Sequence, residues 1–492
     1  MTGCQDINQK CMHINKLISS VLLCVCSLTY AWADGFVMPE VSDPVIPQRT
    51  VSVVDFGGVP DGVHNNSSAF AVAIDKLAHN GGGHLVVPAG IWLTGPIELK
   101  SNIDLHLEKG AIILFDSDRD LYPVIDIPFE GTDNRRCKSP LYAYGCRNIS
   151  ITGEGIIDGN GEQWRKVKKH LVSPDHWKKL VASGGCLDEK GEVWYPDEGY
   201  RFRETVKGVK YDEEYIKSFL RPVLLTFQNC ENVLLDGCTF QNSPSWNLHP
   251  VYCRNLTVRN ITVRNPHYSA NGDGLDIDAC ETVLVRNSTF DCGDDAICIK
   301  SGKDEDGRRH GIPTRNLLVE GCTVFHGHGG IVIGSEMSGG VENVLVRDCC
   351  FLGTDVGIRL KTRRGRGGVV KGIFIENIYM TEIKGDAIQF DMFYFYKSKT
   401  DPPMPEPVTE KTPKLSSVYI KNVTCIGARK AMYFNGLPEM PVDDIRIENC
   451  RIVSEKGMEF RRVSNVILKD VEVVNSLGEN LIKEDTDNFT IK

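Results

Sequence analysis

The chain has 492 residues, a formal net charge of −9 and 41% hydrophobic residues. This length can bury a large core in one or several domains. The negative balance argues against a nucleic-acid partner, because phosphate binding requires a basic face.

Residues 1–33 have the pattern of a secretory signal peptide. Lys10 and Lys16 provide a positive flank, and residues 17–30 are mostly apolar but too few to span a bilayer. Small residues in Ala31-Trp32-Ala33 occupy the two positions that a signal peptidase reads. We therefore expect cleavage after this tripeptide and a secreted or periplasmic protein.

Residues 1–11 have the character of an upstream extension, which makes Met12 an alternative start. The remainder, 34–492, is predicted to form a single domain. No other stretch of the sequence is long and apolar enough to cross a membrane, and we expect no membrane partner.

The first predicted elements form a cap. Thr50 to Phe56 is predicted to be a strand, and Asn66-Ser67-Ser68 can cap a helix over residues 69–77, whose apolar residues recur at helical spacing. Gly81-Gly82-Gly83 would end this helix. Such a helix would cover a sheet edge that is otherwise exposed.

From residue 148 onward a short pattern recurs, in which Asn or a substitute precedes alternating apolar residues, mostly 21 to 29 residues apart. One such unit cannot bury its apolar face, whereas stacked units close a continuous core. Period-two strands between Gly and Asn turns indicate an all-β fold, a right-handed parallel β-helix. We expect the repeated Asn side chains to form a hydrogen-bonded ladder. The copies begin at Asn148, Asn232, Asn255, Thr282, Asn316, Asn343, Gly372, Ser417, Asp444 and Asn465.

The cysteines recur at two fixed positions of the repeat. Recurrence at one register predicts a stack of buried, small apolar side chains; a bridge between neighbours such as Cys230 and Cys253 is the alternative. No cysteine spacing resembles a zinc site, and we expect neither metal nor cofactor. The two sets are Cys238, Cys322, Cys349 and Cys450, and Cys146, Cys230, Cys253 and Cys280.

Two segments interrupt the repeat. Residues from about 162 to 222 are charged and aromatic, and residues from about 392 to 415 contain five Pro. We predict that both are insertions that wall a cleft.

A second motif follows once per repeat: a small residue, then apolar residues at alternating positions. Stacked copies predict one long parallel sheet whose inward positions are apolar and whose outward, polar positions form an exposed cleft floor. The copies begin at Ser245, Gly274, Ala296, Gly330, Gly357, Ala387, Ala431 and Gly457.

The central copies of this motif carry reactive side chains. Asp273 and Asp295 each precede the small residue and are predicted neighbours, about 4.8 Å apart, on adjacent strands. Asp294 and His328 share the preceding position. Close carboxylates raise the pKa of one of them, which provides the acid and the base that glycoside hydrolysis requires.

Two cations follow on the next copy. Arg359 and Lys361 could hold a substrate carboxylate, the arginine with two hydrogen bonds. The pattern also predicts a structural pair between Asp278 and Lys300. Further candidates for contact with the substrate are Asn271, Asn247, His249, Gln389 and Tyr433.

Together these motifs resemble family 28 of the glycoside hydrolases, the polygalacturonases. The resemblance covers most of residues 50–475 and includes Val54-Asp55-Phe56-Gly57-Gly58 and Asp158-Gly159-Asn160-Gly161 near Trp164. One departure is Gly272, where the family usually has Thr. The resemblance implies hydrolysis of α-1,4-galacturonosidic linkages in pectin by inverting acid–base catalysis.

The resemblance also implies roles for the site residues. Asp294 would be the general acid, with His328 supporting its protonation. Asp273 and Asp295 would activate the water. Arg359 and Lys361 would bind the galacturonate carboxylate at the cleavage point. Inverting enzymes normally separate acid and base by about 6.5–9.5 Å, which exceeds the spacing predicted for Asp273 and Asp295.

Residues 334–340 and 361–368 resemble exo-acting members of the family, and an insertion that blocks one end of the groove would suit exo action. The expected partner is therefore an acidic pectic oligo- or polysaccharide. Rhamnogalacturonan or another decorated pectin is the alternative substrate. A calcium-dependent pectate lyase and a non-catalytic glycan-binding solenoid are the rival functions, and the oligomeric state is left open.

Overall fold

Parallel strands that stack turn upon turn make up most of this protein. The computed structural model describes residues 38–396 and 404–492, so the predicted signal peptide lies outside the described residues. Residues 40–492 form one unit, dominated by a 27-stranded sheet. Every pairing within that sheet is parallel and joins strands of successive turns, which confirms the predicted right-handed parallel β-helix.

Each turn contributes one strand to each of three parallel sheets. In the order in which the chain passes through them, we call these the middle sheet, the third sheet and the site sheet. The middle sheet begins with Thr50–Ser52, Gly83–Val87, Ile103–Leu107, Arg147–Gly153, Glu231–Asp236, Arg254–Arg259, Glu281–Arg286 and Thr314–Glu320. The third sheet begins with Gly90–Thr94, Ala111–Phe115, Ile156–Asp158, Thr239–Gln241, Thr262–Arg264, Thr289–Asp291 and Thr323–Phe325. The site sheet contains Ile97–Glu98, Leu141–Tyr144, Leu225–Gln228, Leu248–Val251, Leu275–Asp278, Asp295–Lys300, Gly329–Gly334 and Ile358–Lys361.

Toward the C-terminus the strands of one turn merge. Val341–Leu352 serves the middle and third sheets, and Val369–Asp391, Lys414–Asn435 and Val442–Ile491 run through all three. Their corners are made by single residues with positive φ, such as Asn377 (54°). Asn tolerates this left-handed conformation better than most residues, so a one-residue corner is enough to change direction.

The core is the interior of the coil. Inward residues of successive site-sheet strands, such as Ile277, Ile299 and Leu360, are at most 1% exposed. Each inward side chain packs on its counterpart in the next turn, since the strands are in register. The apolar half of the repeat therefore forms one continuous stack, as the sequence predicted.

The predicted asparagine ladder is present along the middle sheet. Asn148 donates to Asn102 at 2.9 Å, Asn232 to Asn148 at 2.9 Å, and Asn255 to Asn232 at 2.7 Å. These residues have φ between 52° and 63°. The repeated Asn thus serves the backbone corner and the side-chain ladder at once.

Stacked cysteines line the corner between the site and middle sheets. Cys146, Cys230, Cys253 and Cys280 come from consecutive turns and are buried free thiols. Burial raises the pKa of Cys253 well above its usual value. The set behaves as small apolar packing groups with unreactive thiols.

The N-terminal cap differs in detail from its prediction. Only Thr50–Ser52 is a strand, and Val53–Phe56 forms a 3-10 helix. The cap helix spans Ser67–His79 and buries Phe70, Ile74 and Leu77 against the first turns. Asn66 does not cap it, because its side chain bonds the backbone of Val59.

Residues 161–222 leave the coil between the third and site sheets. They contain the α-helices Pro174–Ala182 and Glu198–Thr205, the 3-10 helices Gly161–Gln163 and Lys169–Leu171, and a small antiparallel sheet of Val167–Lys168, Val193–Tyr195 and Cys186–Leu187. No described helix is long and apolar enough to cross a lipid bilayer.

The predicted exposed floor was wrong for the central site-sheet strands. The outward residues Asp276, Cys298 and Val332 are fully buried. An irregular segment covers this part of the sheet: Phe129, in the loop between the strands Val124–Asp126 and Arg135–Cys137, packs with its ring 4.7 Å from that of Trp246, which lies 4.8 Å from Lys300 Nζ. A hydrogen bond of 2.7 Å from the backbone N–H of Lys303 to the carbonyl of Gly131 holds this cover in place.

Candidate active site

The register of the site sheet brings the predicted catalytic side chains together. Leu275 pairs with Ile297, and the backbone N–H of Gly274 donates to Asp295 at 3.0 Å, which makes Asp273 and Asp295 neighbours. The next strand follows in phase. There the N–H of His328 donates to the carbonyl of Asp294 at 2.9 Å. The predicted phase of these turns therefore holds.

Three carboxylates form the centre of the site. Asp273, Asp294 and Asp295 each contribute an oxygen to a group whose members lie within 4.8 Å of one another. Among the described residues no other trio of His, Cys, Asp or Glu comes together in this way. Such an oxygen cluster suits either a hard cation or a held water molecule, and the ammonium of Lys361 beside it opposes a cation.

Two cations hold Asp295 in its charged form. Lys361 Nζ lies 2.6 Å from Asp295 Oδ2, and Arg359 Nη1 lies 3.6 Å from Asp295 Oδ1. Although burial alone would raise the pKa of Asp295, the charges of Lys361 and Arg359 keep it well below its usual value. This carboxyl is ionised across the physiological range.

Asp273 has the opposite environment. It is 4% exposed, and its Oδ1 has no hydrogen-bond partner. Burial, followed by the negative charge of Asp294, raises the pKa of Asp273 well above its usual value. The adjacent carboxyls of Asp273 and Asp295 therefore differ strongly in acidity, so that a neutral and an ionised carboxyl can lie side by side.

An imidazole adjoins the third carboxylate. His328 Nδ1 lies 2.9 Å from Asp294 Oδ1, which also accepts the backbone N–H of Asp295 at 3.0 Å. The hydrogen bond with Asp294 raises the pKa of His328 and favours the imidazolium. Asp294 is partly exposed, whereas the other two carboxylates are buried. Of the three carboxyls, that of Asp294 is thus the most accessible to an incoming ligand.

Two residues outside the repeat complete the site and were not predicted. Tyr394 places its ring 5.0 Å from Lys361 Nζ and 5.7 Å from the guanidinium of Arg359. Arg221 donates to Ala270 at 2.9 Å and to Asn271 Oδ1 at 3.0 Å, which holds the turn before Asp273. Both come from segments without periodicity, and no pattern in those segments signals them.

Asn247 and His249 do not reach the cleft as predicted. Leu248 pairs with Leu275, so this strand lies two residues out of the phase expected from Ser245. Asn247 is fully buried at the turn and donates to Phe240 at 3.4 Å. His249 is fully buried as well, beside Asp278 at 3.5 Å. Neither side chain is accessible to a sugar in this structure.

The other three candidates differ in exposure. Gln389 pairs with Arg359 in register and donates to Asp386 at 2.7 Å. Tyr433 follows it on the next strand and is largely buried. Asn271 remains partly exposed beside the cluster.

The predicted pair of Asp278 with Lys300 is replaced by two others. Lys300 Nζ lies 3.5 Å from Asp276 and 3.0 Å from Glu336. Asp278 instead accepts the backbone N–H of Gly302 at 3.0 Å. Asp276 lies on the neighbouring strand of the site sheet itself, whereas Glu336 and Gly302 lie in the turns that follow two of its strands.

The space beside Gly272 is filled by a neighbour. A Cβ at this position would stand 1.9 Å from Ser269 Oγ, and a Cβ at Gly293 would stand 2.5 Å from the same atom. Ser269 is buried and donates to the carbonyl of Pro266 at 2.7 Å. The glycine therefore makes room for a hydroxyl that another residue of the same turn provides.

A groove of about 960 Å³ runs past the outer side of His328. Its walls come from the ends of the third-sheet strands, from the following turns and from the segment 161–222. Its lining includes His326, His328, Asp291, Asp355 and Lys384.

Comparison with known proteins gives a consistent result. The sequence profile described as "Glycosyl hydrolases family 28" matches residues 166–475. A "Probable polygalacturonase" of Vitis vinifera is 30% identical over 454 residues, 90% of this chain and 82% of its own length. An "Exo-poly-alpha-D-galacturonosidase" of Dickeya chrysanthemi is 28% identical over 70% of this chain and 57% of its own length.

Solved structures agree. An exopolygalacturonase from Thermotoga maritima superposes with a TM-score of 0.71 at 34% identity, over 90% of this chain and 94% of its own. A family 28 exopolygalacturonase from Yersinia enterocolitica gives a TM-score of 0.73 over 94% of this chain and 82% of its own, at 22% identity. The second similarity supports the fold alone.

Proposed function

The chain belongs to glycosyl hydrolase family 28, and from this premise we propose that it hydrolyses α-1,4-galacturonosidic linkages of polygalacturonate from the chain end. The observation that carries the proposal is the cluster of Asp273, Asp294 and Asp295 within 4.8 Å, with Arg359 and Lys361 beside it. Carboxyls of divergent acidity next to fixed cations suit acid–base cleavage of an acidic sugar.

Asp294 is the proposed general acid. It is the most exposed of the three carboxylates, and His328 shares a hydrogen bond with it. Protonation of the glycosidic oxygen by this group leaves the sugar ring with the positive character that water then attacks.

Asp295 and Asp273 are proposed to hold and activate that water. Asp295, which the cations keep ionised, accepts its proton, and Asp273 orients it with an oxygen that has no protein partner. The cluster is tighter than the usual separation of about 6.5–9.5 Å in inverting enzymes. Inversion at this site therefore requires the water to lie between Asp273 and Asp295, on the side opposite the oxygen that Asp294 protonates.

Arg359 and Lys361 are proposed to bind the galacturonate carboxylate. Arg359 retains 17% of its side-chain exposure, and its Nε has no partner, so it can turn toward a ligand. Lys361 is more deeply buried and contacts Asp295 directly. We expect the arginine to make the larger direct contribution to binding, and Asn271 and Gln389 to contact flanking sugars.

Exo action is proposed from two features of the chain. Residues 161–222 leave the coil and line the groove with Glu162, Arg165 and Leu171, where they can close one end of it. The similarity to exo-acting relatives supports the same mode of attack.

The decisive experiment compares Asp294→Asn with Asp291→Asn on polygalacturonate. Loss of the acid should lower kcat by about 10²- to 10⁴-fold. Asp291 lies three residues earlier at the same corner, pairs with His326 at 3.1 Å and is not part of the carboxylate cluster, so its variant should keep the wild-type kcat. Near-normal turnover by Asp294→Asn would refute the acid assignment.

Product analysis over time tests the mode of attack. Galacturonate monomer from the first minutes indicates exo cleavage, whereas a mixture of oligomers indicates endo cleavage. An unsaturated, ultraviolet-absorbing product that disappears on calcium chelation would instead indicate a lyase.

Residues 1–33 are proposed to direct export to the periplasm or the medium. N-terminal sequencing of the protein recovered from an expressing bacterium tests this, and Asp34 is the expected first residue. A product that keeps residues 17–30 in the same fraction would contradict cleavage.

A further inference from the structure

A chain of charged groups leads away from the proposed acid on the side opposite the carboxylate cluster. His328 Nδ1 faces Asp294 at 2.9 Å, and His328 Nε2 lies 3.8 Å from Asp355 Oδ2. Asp355 Oδ1 in turn lies 3.4 Å from Lys384 Nζ. The sequence reasoning assigned no role to Asp355 or Lys384.

The backbone holds Asp355 in this place. Its N–H donates to Gly327 at 2.8 Å, and its carbonyl accepts the N–H of Gly385 at 2.7 Å. It is therefore fixed from the turn before and the turn after, both at the same corner of the coil. Its carboxylate is 45% exposed and faces the groove of about 960 Å³.

Every charged group that faces His328 can be named. Asp294 and Asp295 lie on the site side, and Asp355 lies on the groove side. Arg359 Nη1 reaches the carbonyl of His328 at 3.5 Å, and Lys384 is screened from the ring by Asp355. The carboxylates raise the pKa of His328, with Asp294 acting first through its hydrogen bond.

We propose that Asp355 is a positioning residue for catalysis, which holds His328 Nε2 protonated so that Nδ1 and Asp294 share the proton delivered to the leaving sugar. The inference rests on the proposed role of Asp294 as the acid. Lys384 tempers the effect because its charge partly neutralises Asp355.

The chemistry follows from the two nitrogens of the ring. A carboxylate opposite Nε2 favours a hydrogen on that nitrogen, since a lone pair there would face a negative charge. Nδ1 is then either the acceptor of the Asp294 proton or the donor of the same proton to the Asp294 carboxylate. The pair therefore holds one transferable proton, and its delivery to the leaving sugar leaves ionised Asp294 beside neutral His328 with its hydrogen on Nε2. A proton from solvent restores the acid before the next turnover.

The same corner offers a matched control. Asp291 and His326 form another carboxylate–imidazole pair at 3.1 Å, and both line the same groove. His326 contacts none of the three clustered carboxylates in the described contacts. A general effect of groove charge would therefore appear in Asp291→Asn, whereas a specific effect would not.

The first test is the pH dependence of kcat/KM on polygalacturonate. Its alkaline limb reports loss of the proton shared by Asp294 and His328. Asp355→Asn should move this limb to lower pH, because the variant removes a charge that favours the protonated pair. A half-exposed ion pair predicts a shift of about 0.2 to 0.7 pH units and an activity loss of about two- to fivefold above the optimum.

Lys384→Met should move the limb in the opposite direction, because it removes the charge that tempers Asp355. Asp355→Glu should restore the wild-type profile, and Asp291→Asn should leave it unchanged. A merely structural role would lower activity without producing shifts of opposite sign. An unmoved limb in Asp355→Asn with wild-type thermal stability would overturn the proposal, as would the same shift in Asp291→Asn.

A second measurement needs no substrate. Histidine labelled at Cε1 allows the titration of the 12 histidines to be followed by NMR, with His328 assigned by the signal missing from His328→Ala. The midpoint of His328 should fall in Asp355→Asn and rise in Lys384→Met. If the protein leaves polygalacturonate intact but these midpoints move, the proposed substrate fails and the coupling stands; fixed midpoints reject the coupling itself.

Discussion

Two arrays of alternating charges run along this β-helix, one exposed on the middle sheet and one buried beside the site sheet. The exposed array alternates in sign along the start of the middle sheet, with ion pairs of 2.7 to 3.6 Å. The buried array lies beside the site sheet, with ion pairs of 3.0 to 3.5 Å. Members of the exposed array are Arg147, Glu231, Arg254, Glu281, Arg315, Glu342 and Lys371, and members of the buried array are Asp276, Lys300, Glu336 and Arg366.

The two arrays differ more in solvent exposure than in contact distance. Arg147 is 74% exposed, whereas Lys300 and Asp276 are at most 4% exposed. Water and salt screen the first kind of pair, which typically contributes at most about 1 kcal/mol. Removal of one partner from the second kind leaves an uncompensated charge in the interior and costs several times more. Contact distances alone would predict similar contributions to stability from the two kinds of pair.

The largest contrast is expected from neutralising a lysine in each array. Lys300→Met leaves the carboxylate of Asp276 without its cation and removes the nearer of the two cations beside Glu336, since only Arg366 at 3.4 Å remains. It should lower the free energy of unfolding by about 3–5 kcal/mol. Lys371→Met, the control, should lower it by less than about 1 kcal/mol. Urea unfolding followed by tryptophan fluorescence measures both. Equal losses would mean that burial does not govern these pairs.

A second contrast lies in acid sensitivity. Although burial raises it, the pKa of Glu336 is lowered to about 2 by Lys300 and Arg366, against an ordinary value of 4.5. Ionised Glu336 therefore contributes about 3 kcal/mol to the free energy of unfolding. This contribution is fully present above pH 4.5 and is lost as pH falls toward 2. As pH falls from 4.5 toward 2, the urea midpoint of Glu336→Gln should therefore decrease less than that of the wild type. Glu231→Gln, which removes a solvated partner of Arg147, should follow the wild-type curve.

The smallest effect is expected at the centre of the exposed array. Arg315→Ala removes the 2.7 Å pair with Glu281 and should cost less than about 1 kcal/mol. The cost should shrink further in high salt, because the pair is solvated. Thermal unfolding of the variant and the wild type at two salt concentrations measures this. A loss that persists in high salt would show that packing of the arginine stem is responsible.

Sequence periodicity was sufficient for the coil and for the centre of the site. Asp273, Asp294, Asp295 and His328 precede small residues that pair in register, so their mutual proximity follows from the repeat alone. The asparagine ladder and the cysteine stack follow in the same way, since each turn repeats the last. These features depend only on contacts between neighbouring turns.

The remaining site residues depend on parts of the chain that do not repeat. A two-residue slip placed Asn247 and His249 in the wrong phase, because a shift of two leaves a period-two pattern unchanged. Tyr394, Arg221 and the cover over Asp276 come from irregular segments whose positions no periodicity encodes. Aperiodic insertions therefore decide which outward residues meet solvent.

The close approach of Ser269 to Gly272 limits which residues can replace this glycine. A threonine introduced at 272 collides with the serine hydroxyl, while loss of the serine alone leaves a hole beside the cluster. A Cβ at 272 would also stand 2.9 Å from Ser269 Cβ and 3.0 Å from the Ser269 carbonyl oxygen. Removal of the hydroxyl therefore relieves only the closest contact, and a threonine at 272 requires the backbone of this turn to move as well.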